Sequence, residues 1–333
     1  MRSYRVWEVG SPNNLKLDAI GDLTPAEGEV VVDVEVAAVG FVDTLVVSGR
    51  YQAIPPAPFT PGMEFAGIVR AVGTNVEGCA IGDRVAAYVP GGAFAEQAIA
   101  KVGEFYPVPE DIPLDRAVLL SGAYLTAHFA LVERGRFEPG ETVLVGGAGG
   151  AVGLAAVQIA KALGAGKVLG AIRSERDRDA VLAAGADAVV DLAGAELRDA
   201  VRDQVFAATG GRGADLVIDP IGGDFFGAAL RAMEWRGRLV VVGFAAGEIP
   251  TVRANYLLLK NIAVLGLEVG QFRRRAPAAM QAVQAELFDL ARRGLLAPRV
   301  AREFAFEALP DALEFVAAGR TGGRALVSIG GAR

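Results

Sequence analysis

The chain has 333 residues, enough for about two domains at a usual size of about 150 residues each. Hydrophobic residues make up 52% of the chain and charged residues 22%, an ordinary globular composition. The formal net charge of −6 argues against nucleic acid as a partner, because binding phosphates requires a basic surface.

The lack of a recognisable targeting signal and the low cysteine content predict a cytoplasmic protein that does not enter a membrane. No apolar stretch is both long and free of polar residues and glycine, and the first ten residues, MRSYRVWEVG, lack the apolar core of a signal peptide. Cys79 is the single cysteine, which excludes an internal disulfide and fits a reducing compartment.

The scarcity of metal ligands predicts a protein without a metal site. Structural zinc takes four ligands from Cys and His, and the chain has only Cys79 and His128. Catalytic zinc usually takes three protein ligands, so it would need unusual help from carboxylates. His128 lies in a mostly apolar helical stretch, which favours a structural role. Cys79 has no histidine nearby in sequence to activate it as a nucleophile.

The first 115 residues show the pattern of a β-rich domain. Residues 29–37, EVVVDVEVA, alternate apolar and polar side chains as a half-buried strand does. Glycine and proline mark turns at 55–56, 61–62, 82–83 and 90–92. Short strands closed by such turns predict a partly open barrel. A helical stretch is predicted to begin near Asp115.

Residues 143–161, VLVGGAGGAVGLAAVQIAK, combine a short apolar run, a glycine-rich turn and a helical segment. Small residues let a pyrophosphate approach the helix N-terminus, where free N–H groups and the helix dipole favour negative charge. A tight turn in a glycine-rich protein is the alternative, but the flanking strand and helix favour dinucleotide binding. The residues expected to hold the nucleotide are Ala148, Gly149, Gly150, Ala151, Val152 and Gly153.

From residue 141 onward, strands and helices alternate, which is typical of a doubly wound parallel sheet. The predicted strands are 142–146, 167–172, 188–190, 215–219, 238–243 and 262–267. The predicted helices include 151–163, 176–184 and 224–234. After residue 276 we predict a helix over 277–293, a segment 299–306, a helix over 309–318 and a strand over 324–329. This last part has no obvious partner of its own, so we expect it to return to the N-terminal domain.

The end of the second strand bears on which dinucleotide binds. An acidic residue about 20 positions after the glycines holds the ribose 2′-hydroxyl of NAD, but here Arg173, Ser174 and Arg176 cluster instead. A 2′-phosphate needs such donors, each charged hydrogen bond contributing about 1.5–3 kcal/mol. A solvated basic start to a surface helix is the alternative, and Glu175 weakens the case for a phosphate. We predict NADPH rather than NADH, and we interpret the rest of 175–179 as a solvated helix face.

Short motifs occur along nearly the whole chain: FVDT (41–44), SGRY (48–51), PGMEFAG (61–67), GDRV (82–85), GAFAE (92–96), LTA (125–127), DPIGG (219–223), GRLVVVGF (237–244) and NYLLLKN (255–261). In this order they resemble the zinc-independent quinone oxidoreductase (zeta-crystallin-like) branch of the medium-chain dehydrogenase/reductase superfamily. The resemblance implies an α/β fold, with a doubly wound Rossmann domain over 121–269 and a GroES-like catalytic domain over 1–120 and 270–333. It also implies a cleft for the nicotinamide. Zinc members carry His where this chain has Met63, which agrees with the absence of metal.

The implied reaction is hydride transfer from C4 of NADPH to a quinone. The first alternative is reduction of the C=C bond of an α,β-unsaturated carbonyl, such as an alkenal, an enone or an enoyl thioester. An enoyl thioester would suit a tyrosine proton donor but would need a groove and cationic residues for a long substrate. A third hypothesis is a protein that binds NADPH without turnover, as a sensor or a structural protein.

The resemblance places two candidates for catalysis in the N-terminal domain. Tyr51 closes the SGRY motif and is favoured as proton donor; a packing tyrosine is the alternative. Asp43 matches an aspartate near the nicotinamide ribose; a turn or cap residue is the alternative. Many relatives have Asn where this chain has Gly40, which leaves the substrate class open and favours a roomier site.

The remaining candidates lie in the second half of the chain. Thr126 matches a threonine placed against the nicotinamide, and Tyr124 is either a pocket residue or a core aromatic. Phe244 matches a loop that covers the nicotinamide. Asn255 is assigned to cofactor binding, although for Asn255 and Lys260 a structural role is the alternative. The apolar strand 262–267 near the sheet edge predicts pairing with a second subunit, so we expect a homodimer.

Overall fold

The computed structural model describes residues 1–194, 196–319 and 322–330. The chain forms two compact units. The first comprises Met1–Gly122, Arg273–Arg292 and Pro298–Arg333, and the second comprises Ala123–Phe272 and Arg293–Ala297. The predicted division differs at 121–122, at 270–272 and at 293–297; the last two segments were assigned to the domain of the chain ends.

The elements run along the chain as follows. The strands are β1 (Arg2–Val6), β2 (Leu15–Ala19), β3 (Glu29–Val39), β4 (Glu64–Val72), β5 (Arg84–Tyr88), β6 (Gln97–Lys101), β7 (Phe105–Pro107), β8 (Thr142–Val145), β9 (Lys167–Ile172), β10 (Ala188–Asp191), β11 (Ala214–Asp219), β12 (Met233–Val241), β13 (Ala263–Gly266), β14 (Val300–Ala305) and β15 (Arg324–Ser328). The α-helices are α1 (Phe41–Val47), α2 (Leu114–Ala117), α3 (Gly122–His128), α4 (Ala151–Ala162), α5 (Arg178–Ala183), α6 (Leu197–Thr209), α7 (Gly223–Ala232), α8 (Ala254–Lys260), α9 (Val269–Arg275), α10 (Pro277–Arg292) and α11 (Leu309–Ala317). No helix of the described residues is long and apolar enough to cross a membrane.

The first unit is built around the long strand β3. Its first half pairs with β6 and its second half with β15, while β4 pairs along its other side. The sheet continues from β15 to β14 and from β4 through β5 to β7. The predicted return of the C-terminal strand to the N-terminal domain is confirmed, because Val36–Val39 lie opposite Ala325–Ser328 in antiparallel register.

The second unit contains a parallel sheet in the order β10-β9-β8-β11-β12-β13, with β13 at one edge. This confirms the predicted doubly wound fold. The predicted helix 224–234 is too long, because Met233 is already extended and pairs with Ala214. Strand β12 therefore begins five residues earlier than the predicted start at 238. The start of β12 was missed because the strand is irregular: Arg236, within it, has φ +64° and interrupts the extended backbone.

The helical stretch predicted from Asp115 is a series of short pieces. Helix α2 passes into a 3₁₀ turn, Val118–Leu120, and Ser121 then breaks the helix at φ −86°, ψ −116°. Helix α3 follows and widens into a π-helical stretch, Phe129–Arg134. Helix α1 was not predicted as a helix, because its β-branched residues and its seven-residue length give little helical periodicity.

Candidate functional site

The turn between β8 and α4 has the geometry of a phosphate-binding turn. Gly150 is the N-cap of α4, and the backbone N–H groups of Ala151, Val152 and Gly153 donate to none of the described residues. Such open donors at a helix N-terminus bind anions. A β-carbon at Gly153 would lie 2.2 Å from the Gly147 carbonyl oxygen, so only glycine allows the helix to approach the turn this closely. These residues therefore fit the pyrophosphate of a dinucleotide.

The basic residues predicted for a 2′-phosphate follow β9 directly. Arg173 and Arg176 are exposed and Ser174 is half-buried. The Ser174 carbonyl accepts the Asp177 N–H at 3.0 Å, which closes a 3₁₀ turn over Glu175–Asp177 before α5 begins.

Asp177 was predicted to lie on a solvated helix face, but it is half-buried at the start of α5. A β-carbon at Gly149 would lie 2.7 Å from both Cβ and Cγ of Asp177 and 2.9 Å from its Oδ2. The acidic side chain therefore lies against the turn between β8 and α4. The sequence signal was an aspartate at the N-cap of the helix that follows the second strand. The direction of its side chain depends on the orientation of α5, which the sequence does not give.

In the first unit, Asp43 is buried in the first turn of α1, with 2% of the residue exposed. Its Oδ2 accepts the Gly40 N–H at 2.7 Å, so it caps the helix, while its Oδ1 is buried and accepts no hydrogen bond within the described chain. Burial raises the pKa of Asp43 to about 7; the neighbouring Glu64 charge adds to the rise, and Arg324 opposes it. Asp43 therefore titrates near neutral pH.

Glu64 lies next to this cap in a buried network. Its Oε1 accepts from Nη2 of Arg324 at 2.6 Å, and its Oε2 accepts from the Ser121 hydroxyl at 2.9 Å and the Gly122 N–H at 3.0 Å. A β-carbon at Gly40 would lie within 4 Å of Asp43, Glu64 and Arg324. Gly40 thus lies beside three buried charged side chains.

Tyr51 follows α1, and its backbone N–H donates to the Leu45 carbonyl at 3.2 Å. The side chain is half-buried and packs against the first unit's core, and its hydroxyl has no hydrogen-bond partner among the described residues. The structure thus brings Asp43, Glu64 and Arg324 together and leaves the Tyr51 hydroxyl available.

In the second unit, Thr126 is half-buried on α3. Tyr124, on the same helix, is a core aromatic: it is 4% exposed and donates to Gln158 Oε1 at 2.9 Å. Gln158 in turn exchanges hydrogen bonds with the backbone of Ala297, at 3.1 Å and 2.8 Å. This contact explains why 293–297 belong to the second unit.

Phe244 follows β12 and is 41% exposed. Its ring lies beside the turn after β11, since a β-carbon at Gly222 would be 3.0 Å from its Cδ1. Asp219 holds that turn by accepting the N–H groups of Ile221 and Gly222, each at 2.9 Å. This is the carboxyl edge of the sheet, where ligands of doubly wound folds bind.

Asn255 and Lys260 lie on α8 but differ in their surroundings. Asn255 is exposed. Lys260 Nζ donates to the carbonyls of Leu230, Arg231 and Met233, which closes the C-terminal end of α7. Lys260 therefore has a structural role. His128 is buried and meets the Phe129 ring edge-on, with 6.4 Å between ring centroids. No group of three or more His, Cys, Asp or Glu residues in the described chain is arranged to hold a metal.

Comparison with known proteins gives the family. The alcohol dehydrogenase GroES-like domain matches residues 26–110, and the zinc-binding dehydrogenase domain matches 151–285. The rat quinone oxidoreductase-like protein 2 is 38% identical over 90% of this chain and 85% of its own. The chain belongs to the quinone oxidoreductase branch of the medium-chain dehydrogenase/reductase superfamily.

Solved structures of this branch share the whole architecture. The Escherichia coli quinone oxidoreductase complexed with NADPH has a TM-score of 0.88 and 27% identity, covering 99% of this chain and 100% of its own. A mycobacterial protein complexed with NADPH has a TM-score of 0.91 and 29% identity over the same shares. The predicted family and fold class are confirmed by these matches.

Proposed function

We propose that this protein is an NADPH-dependent, metal-free oxidoreductase that reduces quinones. The observation that carries the proposal is the turn at Gly150–Gly153, with open backbone donors and no room for a β-carbon at Gly153. The chain's relatives are named quinone oxidoreductase or quinone oxidoreductase-like. Two solved relatives contain NADPH, which supports the choice of cofactor.

The chain's residues would hold NADPH in three places. Ala151, Val152 and Gly153 would bind the pyrophosphate through their open backbone N–H groups, while Ala148, Gly149 and Gly150 would form the turn that the pyrophosphate approaches. Arg173, Ser174 and Arg176 would bind the 2′-phosphate through charged hydrogen bonds. Phe244 and Asn255 are assigned to the cofactor from the family match, and the exposed ring of Phe244 suits contact with a planar nicotinamide.

When bound, NADPH would supply a hydride from C4, and the protein's part is to place the acceptor and deliver a proton. Reduction of a quinone to a quinol consumes one hydride and one proton. Tyr51 is assigned the proton, because its hydroxyl has no partner in the described chain and can donate to a developing oxyanion. Asp43 and Thr126 are assigned to positioning at the nicotinamide and its ribose. Orienting two reactants in this way can lower a barrier by about 7–11 kcal/mol in favourable cases.

We also propose a cytoplasmic homodimer. Strand β13 is the edge of the parallel sheet, and on the neighbouring helix α8 Leu258 and Leu259 are 77% and 75% exposed. Unpaired edge strands beside exposed leucines are surfaces that a second copy can cover. Size-exclusion chromatography with light scattering should give a dimer, and a monomer at micromolar concentration would refute this part.

The test of function is NADPH oxidation, followed by its absorbance with NADH in parallel. The acceptors are a small quinone, a larger quinone, an alkenal and an enoyl thioester. Fast turnover of quinones with NADPH supports the proposal. Turnover of only the alkenal or the thioester would reassign the protein to C=C reduction, with Tyr51 protonating carbon. Binding of NADPH without turnover of any acceptor would assign it a non-catalytic role.

A further inference from the structure

The nucleotide-binding turn has an acidic neighbour. A β-carbon at Gly149 would lie 2.7 Å from Cγ and 2.9 Å from Oδ2 of Asp177, so this side chain occupies the space directly beside the turn. Asp177 belongs to the short 3₁₀ turn that follows β9, the strand after which the adenosine ribose binds in folds of this kind.

The Asp177 carboxylate differs from that of its neighbour Glu175 in its contacts. Glu175 forms an ion pair with Arg178. Asp177 is half-buried, and within the described chain its side chain accepts no hydrogen bond and forms no ion pair, although its backbone N–H donates to Ser174. A half-buried carboxylate without a partner is suited to accept hydrogen bonds from a ligand.

The Asp177 carboxylate favours a ribose 2′-hydroxyl and disfavours a 2′-phosphate at this position. A ribose hydroxyl can donate to Asp177, as it does to the acidic residue of NAD sites, whereas a phosphate dianion is repelled by it. Arg173 acts in the other direction, because it is exposed, has no side-chain partner among the described residues and can attract the phosphate. The two side chains therefore oppose each other in the choice of cofactor.

We propose that Asp177 is the residue that restrains the preference of this protein for NADPH, so that NADH also binds at the same turn. This inference rests on the proposed function, since it assumes that a dinucleotide occupies the turn. It assigns discrimination between the two cofactors to a balance of Asp177 against Arg173, rather than to the basic cluster alone.

The test measures binding and does not depend on turnover. Dissociation constants of NADPH and NADH are determined by calorimetry for the wild-type protein, Asp177→Asn and Glu175→Gln. Asn keeps the shape of the side chain while removing its charge. In Asp177→Asn, NADPH should bind about tenfold more tightly and NADH no more tightly, which raises the affinity ratio about tenfold or more. Glu175→Gln, whose carboxylate faces Arg178, should change the ratio less than about twofold.

Each outcome decides the matter. An unchanged ratio in Asp177→Asn, or an equal change for both nucleotides, overturns the inference and leaves the proposed function standing. An equal rise of the ratio in Glu175→Gln also overturns it, because the effect would then be general surface charge. A wild-type protein that binds neither nucleotide overturns the inference and the proposed function together.

Discussion

The Glu64 carboxylate and the Arg324 guanidinium form an ion pair 2.6 Å long, in which each side chain is 8% exposed. The pair joins β4 to β15, and the second oxygen of Glu64 holds the break before α3 through Ser121 and Gly122. A buried charge that loses its partner is costly, so this pair fixes three separate segments of the chain.

Arg324→Met should lower the free energy of unfolding by about 3–5 kcal/mol, because it leaves the Glu64 charge buried without its partner. Urea denaturation measures the loss. Arg292→Met is the control: its ion pair with Asp111 is about half exposed and should contribute less than about 1 kcal/mol. Equal losses in the two variants would contradict the assigned importance of the buried pair.

The buried Asp43 makes stability depend on pH. Its pKa is about 7 in the folded protein, against an ordinary value of 3.8 for an aspartate, so the folded state retains its proton over a range in which the unfolded state has lost it. Stability contributed by the neutral acid therefore falls as pH rises from about 4 to about 7, by about 4 kcal/mol at 1.36 kcal/mol per pKa unit. The side chain introduced by Asp43→Asn is neutral at every pH, so the stability of this variant relative to the wild type should increase as pH rises over this range. Parallel unfolding curves against pH for the two proteins would rule this out.

Gly153 and Gly227 provide a matched pair of helical glycines in the second unit. A β-carbon at Gly153 would collide with the Gly147 carbonyl at 2.2 Å, whereas one at Gly227 would meet no atom within 4 Å. Gly153→Ala should weaken NADPH binding at least about tenfold and lower the melting temperature, because the turn must open. Gly227→Ala should keep binding and gain about 0.5–1 kcal/mol. Calorimetry and thermal unfolding measure both effects, and unchanged NADPH binding in Gly153→Ala would contradict the assigned turn.

Tyr51→Phe should lower kcat by about 10²-fold with little change in KM, because it removes the proposed proton donor and keeps the ring. Steady-state kinetics with the best acceptor measures the effect. Tyr106→Phe is the control, since its hydroxyl is buried, has no hydrogen-bond partner in the described chain and lies in the same unit. A Tyr51→Phe variant with the kcat of Tyr106→Phe would remove Tyr51 from the mechanism.

The parts of the molecule that local pattern determines were predicted well. The turn over 148–153 and the parallel strands follow from glycine spacing and short apolar runs, which depend on neighbours in sequence. The ends of elements were less accurate, as the overlong helix before Met233 shows. That boundary is set by the pairing of Met233 with Ala214, a contact between strands that a local sequence pattern does not reveal.

The contacts around the candidate site residues could not be predicted from the sequence. Asp43 was expected as either a ribose contact or a cap; its Oδ2 caps α1, its Oδ1 has no partner in the described chain, and contact with a ribose stays a prediction. The Glu64–Arg324 pair joins residues 260 positions apart, so sequence spacing could not reveal it. The approach of Asp177 to Gly149 depends on the direction in which α5 begins, which is set by packing rather than by composition.

The pairing of β3 with β15 also has a consequence for synthesis on the ribosome. Val36–Val39 emerge early, but their partners Ala325–Ser328 emerge only after the whole parallel sheet has been translated. We expect the second unit to finish folding while the sheet of the first is still incomplete, with the second half of one side of β3, Val36–Val39, unpaired during elongation. We therefore expect chaperones to bind nascent chains stalled before residue 324 more strongly than full-length chains.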